Sequence, residues 1–217
     1  YSGFTVTLVD VKDRSVAESQ RVREEALAEI TNNLRSLASF EVVSDTDVET
    51  IMRRISFASR DEASAALSTA DFVFEGVPEV MTAKAAVLGL ICDACNEGAI
   101  IASTTSTFSA ETLADYVTNP SRFANAHWLN PAFLIPIVEV SPTTRTSQDT
   151  IDGLLSLLER AGKMPVQCKA TQGFIIPRIQ ALAMNEAARL VEDGVASAED
   201  IDKATRDGFG VRFAILG

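Results

Sequence analysis

The chain has 217 residues, 47% of them hydrophobic and 23% charged, which is enough apolar material for one domain with a sizeable core, or one domain and a small partner, and excludes a disordered tail. Nineteen Lys and Arg against thirty Asp and Glu give a net charge of −11 with no basic run, which argues against a protein that tracks nucleic-acid phosphates. No apolar stretch reaches the roughly 18 residues of a membrane span, the opening Tyr1-Ser2-Gly3-Phe4 does not read as a signal peptide, and three cysteines make no disulfide framework; the expectation is a soluble cytoplasmic protein with a small-molecule partner.

Phe4 to Val9 reads FTVTLV, the pattern of a buried strand of an α/β sheet, and stops at Asp10. From Ser15 to about Leu37 the apolar positions Val22, Ala26, Ile30 and Leu34 recur every four residues among charges, which predicts an amphipathic helix with one buried stripe. A shorter helix is expected from Ser44 or Asp45 to Arg54, followed by ISFAS as a strand. ADFVFEGV is then a strand, Glu79 to Asn96 a helix stopped by Gly98, and AIIAS a strand. Next come a helix near Ala110 to Tyr116, a strand around Arg122 to Ala126, an apolar segment Ile135 to Val140, a helix from Thr150 to Ala161 ended by Gly162, and VQC as a last short strand. Repeated strand-then-helix order predicts a doubly wound, largely parallel sheet, because parallel strands need crossover connections. From Lys169 onward only helix is expected, roughly Phe174 to Asp193 and Ser197 or Ala198 to about Arg206, with Pro177 confined to a first helical turn. The division expected is therefore 1–168 and 169–217.

His127 is the only histidine, so a reaction needing a side chain that titrates near neutral pH has one candidate, placed at the carboxyl end of a predicted strand and followed by Trp128-Leu129-Asn130-Pro131. Glu139, twelve residues further on, is an acid inside the apolar string IPIVEV; it is either partnered or on the solvent face of an edge strand. The hydroxyls of Ser103, Thr104, Thr105, Ser106 and Thr107 follow a strand, where they either face a ligand or cap the next helix. Asp10, at a strand end, either accepts ribose hydroxyls or serves as a helix cap or turn residue. Cys92-Asp93-Ala94-Cys95 is formally CxxC, but it falls within a predicted helix without a second cysteine pair and reads as core packing.

The blocks ADFVFEGVPEVMTAK, IIASTTSTFS, FANAHWLNPAFLIPIVEVSP, GKMPVQCKATQGFIIPR and NEAARLVEDGVASAEDIDKA, in that order and spacing, resemble the 3-hydroxyacyl-CoA dehydrogenases, including the 3-hydroxybutyryl-CoA enzymes. The sharpest element is HxxNP at His127 to Pro131 with the glutamate beyond it. The resemblance implies a Rossmann-like doubly wound sheet followed by a partial all-helical C-terminal domain, and oxidation of a (3S)-hydroxyacyl-CoA, short-chain, with NAD. It implies His127 as the catalytic base and Glu139 as its orienting partner, Ser106 and Asn130 at the substrate, Asp10, Glu79, Lys84 and Ser106 at the cofactor, no metal, and a homodimer. Asp10 favours NAD over NADP, since a carboxylate repels a 2′-phosphate.

Three departures from the family pattern qualify this. The GxGxxG loop and the strand before it, the first of that fold, are missing from these residues, so the chain alone is expected to bind NAD and to fold poorly. The sequence ends at Phe213-Ala214-Ile215-Leu216-Gly217, where the family's helical domain continues. Where many relatives read GFxxNR, this chain has Gly173-Phe174-Ile175-Ile176-Pro177-Arg178, so a substrate-binding asparagine is replaced by proline. The alternatives are a free hydroxy acid as substrate, as in L-gulonate or carnitine dehydrogenases, or a non-catalytic, crystallin-like relative.

Overall fold

A computed structural model describes residues 2–216, which divide into two compact units, the first ending at Gln172 and the second beginning at Gly173. The first unit starts with strand β1 (Val6–Val9) and helix α1 (Val16–Ser39). Helix α1 begins where the sequence provides a capping box: Ser15 Oγ accepts from the Glu18 N–H while the Glu18 carboxylate accepts from the Ser15 N–H. Helix α2 (Asp45–Met52), capped in the same way by Ser44 and Asp47, lays Val48 and Ile51 against Leu34 and Leu37 of α1, closing a small apolar cluster. The chain then returns as β2 (Ile55–Ala58), parallel to β1 with Val6 opposite Ile55 and Val9 opposite Ala58.

After β2 comes an unpredicted helix, α3 (Ala63–Ser68), which buries Ala63 and Leu67. The rest of the unit alternates as expected through β3 (Phe72–Glu75), α4 (Met81–Ala94), β4 (Ile100–Ser103), α5 (Ala110–Ala114), β5 (Phe123–Trp128), β6 (Ile137–Pro142), α6 (Gln148–Arg160) and β7 (Met164–Gln167). Strands β3 to β7 form one sheet in sequence order. Its pairs are parallel except β5 with β6, which run antiparallel. That step follows from length: only residues 129–136 separate the two strands, and a parallel return needs a crossover of about a dozen residues or more.

Strand alternation sends side chains to two cores. Ile101 and Phe123 pack with Leu88 and Ile91 of α4 and Leu113 of α5, while Ala102, Ala124, Ala126, Val138 and Val140 pack with Leu154 and Leu158 of α6. Cys92 and Cys95 pack against the first of these cores. The structure corrects one expectation here, the burial of β1: Val6 is 44% exposed. The physical reason is that β1 pairs with β2 alone among the described residues, and a cleft of about 830 Å³, lined by Phe4, Val6 and Leu8 on one side and Phe72 and Phe74 on the other, adjoins it.

The second unit is helical throughout. Helix α7 (Ile176–Glu192) has Pro177 in its first turn, where no backbone donor is required. Helix α8 (Ala198–Lys203), capped by Ser197, continues through a π-helical stretch (Ala204–Gly210) into α9 (Val211–Leu216), so the helix predicted to end near Arg206 runs on.

Candidate active site

Strands β3, β4 and β5 run parallel and deliver their carboxyl ends to one edge of the five-stranded sheet, with Glu75, Ser106 and His127 at or beyond those ends; Glu139 meets them from near the amino end of the antiparallel β6, and Asp10 follows β1 of the separate two-stranded pair. In the antiparallel pair β5 and β6, His127 stands directly opposite Glu139. Cross-strand partners project to the same face, so His127 Nδ1 and Glu139 Oε2 lie 2.7 Å apart. Both are buried, at 4% and 1% exposure. Of the two positions open to Glu139 from sequence, the structure selects the partnered one: β6 is flanked by β5 and β7, and no edge strand is involved.

A second polar group forms where β3 ends. Glu75, its last residue, is 1% exposed and accepts from Ser103 Oγ at 2.6 Å and from the Val77 N–H at 2.8 Å. Lys84, on the second turn of α4 and equally buried, donates from Nζ to Glu75 Oε1 at 3.1 Å and to the Val77 carbonyl at 3.2 Å, and pairs with Glu79 Oε2 at 3.1 Å. An ammonium has three donors, and these acceptors use them. Lys84, expected at the cofactor, is thus buried in this structure with its ammonium held by Glu75, Val77 and Glu79.

Glu79 in turn organises the loop after β4. Its Oε1 accepts from the hydroxyl of Thr105, the backbone N–H groups of Ser106 (3.1 Å) and Thr107 (3.0 Å), and the hydroxyl of Thr107 (2.8 Å). Burial works against the charged carboxylate, but the Thr105 and Thr107 hydrogen bonds and the Lys84 ammonium outweigh it and hold Glu79 at about 2. Ser106 sits exposed at the tip of this loop, its N–H tied down and its hydroxyl without a protein partner among the described residues.

Asn130 is exposed in the loop between β5 and β6. Lys163, which no sequence motif marks, pins that loop by donating from Nζ to the carbonyls of Ala132 and Ile135 (2.9 Å). Burial there pushes its ammonium below the usual lysine range. Asp10, one residue past β1, accepts from the Lys12 N–H at 3.2 Å and from Arg14 Nε at 2.6 Å. A carboxylate offers about four lone-pair positions, so about two remain.

Comparison with known proteins places this arrangement. Residues 1–171 match the family described as 3-hydroxyacyl-CoA dehydrogenase, NAD binding domain, and residues 173–217 match 3-hydroxyacyl-CoA dehydrogenase, C-terminal domain. The chain belongs to the 3-hydroxyacyl-CoA dehydrogenase family. It is 38% identical over 209 residues to the mitochondrial hydroxyacyl-coenzyme A dehydrogenase of Sus scrofa, covering 96% of this chain and 65% of that protein. It is 36% identical over 145 residues to the 3-hydroxyadipyl-CoA dehydrogenase of Escherichia coli, covering 67% of this chain and 30% of the relative. The solved (S)-3-hydroxybutyryl-CoA dehydrogenase of Ralstonia eutropha superposes with a TM-score of 0.83 at 29% identity, over 96% of this chain and 70% of that one. The first unit thus corresponds to the family's NAD binding domain and has a Rossmann-type fold.

Proposed function

We propose that the protein oxidises a short-chain (3S)-hydroxyacyl-CoA to the 3-oxoacyl-CoA with NAD. The observation that carries this reading is the buried cross-strand pair of His127 and Glu139 at 2.7 Å, set at the carboxyl edge of a nucleotide-binding sheet. With Nδ1 held by Glu139, the tautomer is fixed and the substrate hydroxyl proton is taken at Nε2; the carboxylate stabilises the imidazolium that results. Bound NAD supplies the hydride acceptor. The Ser106 hydroxyl and the Asn130 side chain approach the reacting oxygen from two loops, and Asp10 receives the ribose hydroxyls. Glu79, ionised throughout the neutral range, keeps the Ser106 loop in one conformation. Binding energy is thereby invested in orientation before substrate arrives.

The direct test is NADH formation at 340 nm from (S)-3-hydroxybutyryl-CoA by wild type and His127→Gln, with longer acyl-CoA esters and free (S)-3-hydroxybutyrate in parallel. Turnover of the short ester that falls about a hundredfold or more in the variant supports the reading. Turnover of the free acid alone, or silence in both proteins while NAD still binds, refutes the acyl-CoA assignment.

A further inference from the structure

In Rossmann-type folds an acidic residue at this strand position bears on the choice between NAD and NADP, and in this chain the charge of Asp10 is already answered. Arg14 Nε lies 2.6 Å from Asp10 Oδ2, with the arginine side chain 24% exposed and the aspartate 11%. Only Nε is used: Nη1 and Nη2 of Arg14 have no hydrogen-bond partner in the protein among the described residues. A second guanidinium lies on the same strand end, where Arg60 Nη1 donates to the Val11 carbonyl at 3.1 Å. The nearby Glu62 carboxylate faces away into its own cap, accepting from the Ser59 N–H and hydroxyl. Asp13, on the same turn, pairs with neither arginine. Arg14 and Arg60 thus both lie at this strand end with Asp10, and Glu18, one turn into α1, is the other carboxylate within reach of the Arg14 charge.

From this geometry we infer that Arg14 is a specificity-determining residue that admits the 2′-phosphate of NADP, so that the protein takes both nicotinamide dinucleotides. Exclusion of NADP by an acidic residue rests on repulsion between carboxylate and phosphate, and a nearby arginine is what reverses it. The planar fork of Arg14 can hold Asp10 through Nε while its two Nη groups bind phosphate oxygens, the bidentate geometry a guanidinium offers and an ammonium does not. NAD is still accommodated, because Asp10 keeps two acceptor positions for the ribose hydroxyls. The inference rests on the placement of Asp10 at the ribose within the function proposed above.

Calorimetric titration of the full chain with NAD and with NADP separates the two ideas. Wild type is expected to bind NADP within about tenfold of NAD. Arg14→Ala is expected to move the NAD-to-NADP affinity ratio about tenfold or more toward NAD, and Arg14→Lys to fall between, as the loss of charge-assisted bonds requires. Asp10→Ala is expected to weaken NAD and to spare NADP. Hydride transfer measured with either nucleotide should follow the same ratio. An unchanged ratio in Arg14→Ala, with NAD binding still dependent on Asp10, overturns the role of Arg14 and leaves the ribose assignment standing. NAD binding indifferent to Asp10→Ala overturns the ribose placement and the inference with it.

Discussion

Glu79 gives the most quantitative handle on the site. In Glu79→Gln the side chain keeps one oxygen for the loop after β4, but the atom facing Lys84 Nζ becomes an amide nitrogen, so the ammonium loses one of its partners. The carboxyl stands at about 2 in the folded protein against an ordinary 4.5. That difference is on the order of 3 kcal/mol of preference for the ionised form. With the Glu79 side chain 35% exposed, solvent screening reduces it to about 1–2 kcal/mol. Because the folded-state value is depressed, the contribution is complete above about pH 5 and is lost as the pH falls toward 2, with more than half gone by pH 3. Urea unfolding of wild type and variant, followed by the fluorescence of Trp128, the only tryptophan in the chain, at pH 7, 5, 4 and 3, measures the difference directly. Other acids cancel between the two proteins. A gap of about 1–2 kcal/mol at pH 7 that closes through pH 3 is expected; a gap of constant size across the series refutes the argument.

Three further outcomes follow from particular contacts. Lys84→Met should destabilise the protein by about 3–5 kcal/mol, because Glu75 is left as an uncompensated buried charge, and pairing it with Glu75→Leu should recover most of that loss in chemical denaturation. Glu139→Gln should lower kcat about tenfold or more with a smaller change in KM, read from the initial rate of NADH formation across pH, since an amide still orients His127 but no longer balances an imidazolium. Ser15→Ala should cost about 1 kcal/mol in thermal or urea unfolding, by opening the capping box that starts α1.

Much of the architecture was legible because hydrophobic period and punctuation agreed. The Val22, Ala26, Ile30 and Leu34 stripe lies on the covered side of α1, and Gly162 falls just beyond the end of α6, whereas α4 ends at Ala94, short of the expected Asn96 and well before Gly98. Helix α3 escaped because it is only six residues long and rich in alanine, although Ala63 and Leu67 stand at helical spacing. The antiparallel turn between β5 and β6 was hidden in the expectation of a parallel sheet, and with it the register that makes His127 and Glu139 neighbours. Spacing alone could not supply that pairing; the family resemblance did. Glu75 and Lys84 show a different limit. Each sits in an apolar segment, FVFE and MTAKAAVLGL, where periodicity reads only a polar interruption, and their meeting depends on how α4 packs against β3. Arg14 is similar: among the charges leading into α1, nothing in the pattern marks it as the one that turns back to Asp10.

The location of the proposed proton-handling pair on paired strands, and of Ser106 and Asn130 on loops, sets what can vary over evolutionary time. A strand position is fixed by the hydrogen bonds and packing of two neighbours, whereas loop residues change with little cost to the core. Loops of altered length or composition after β4 and β5 can reshape the proposed acyl pocket while His127 and Glu139 keep their 2.7 Å separation. On that reading, descendants of this scaffold inherit the chemical step intact and acquire a new substrate by rewriting only the rim.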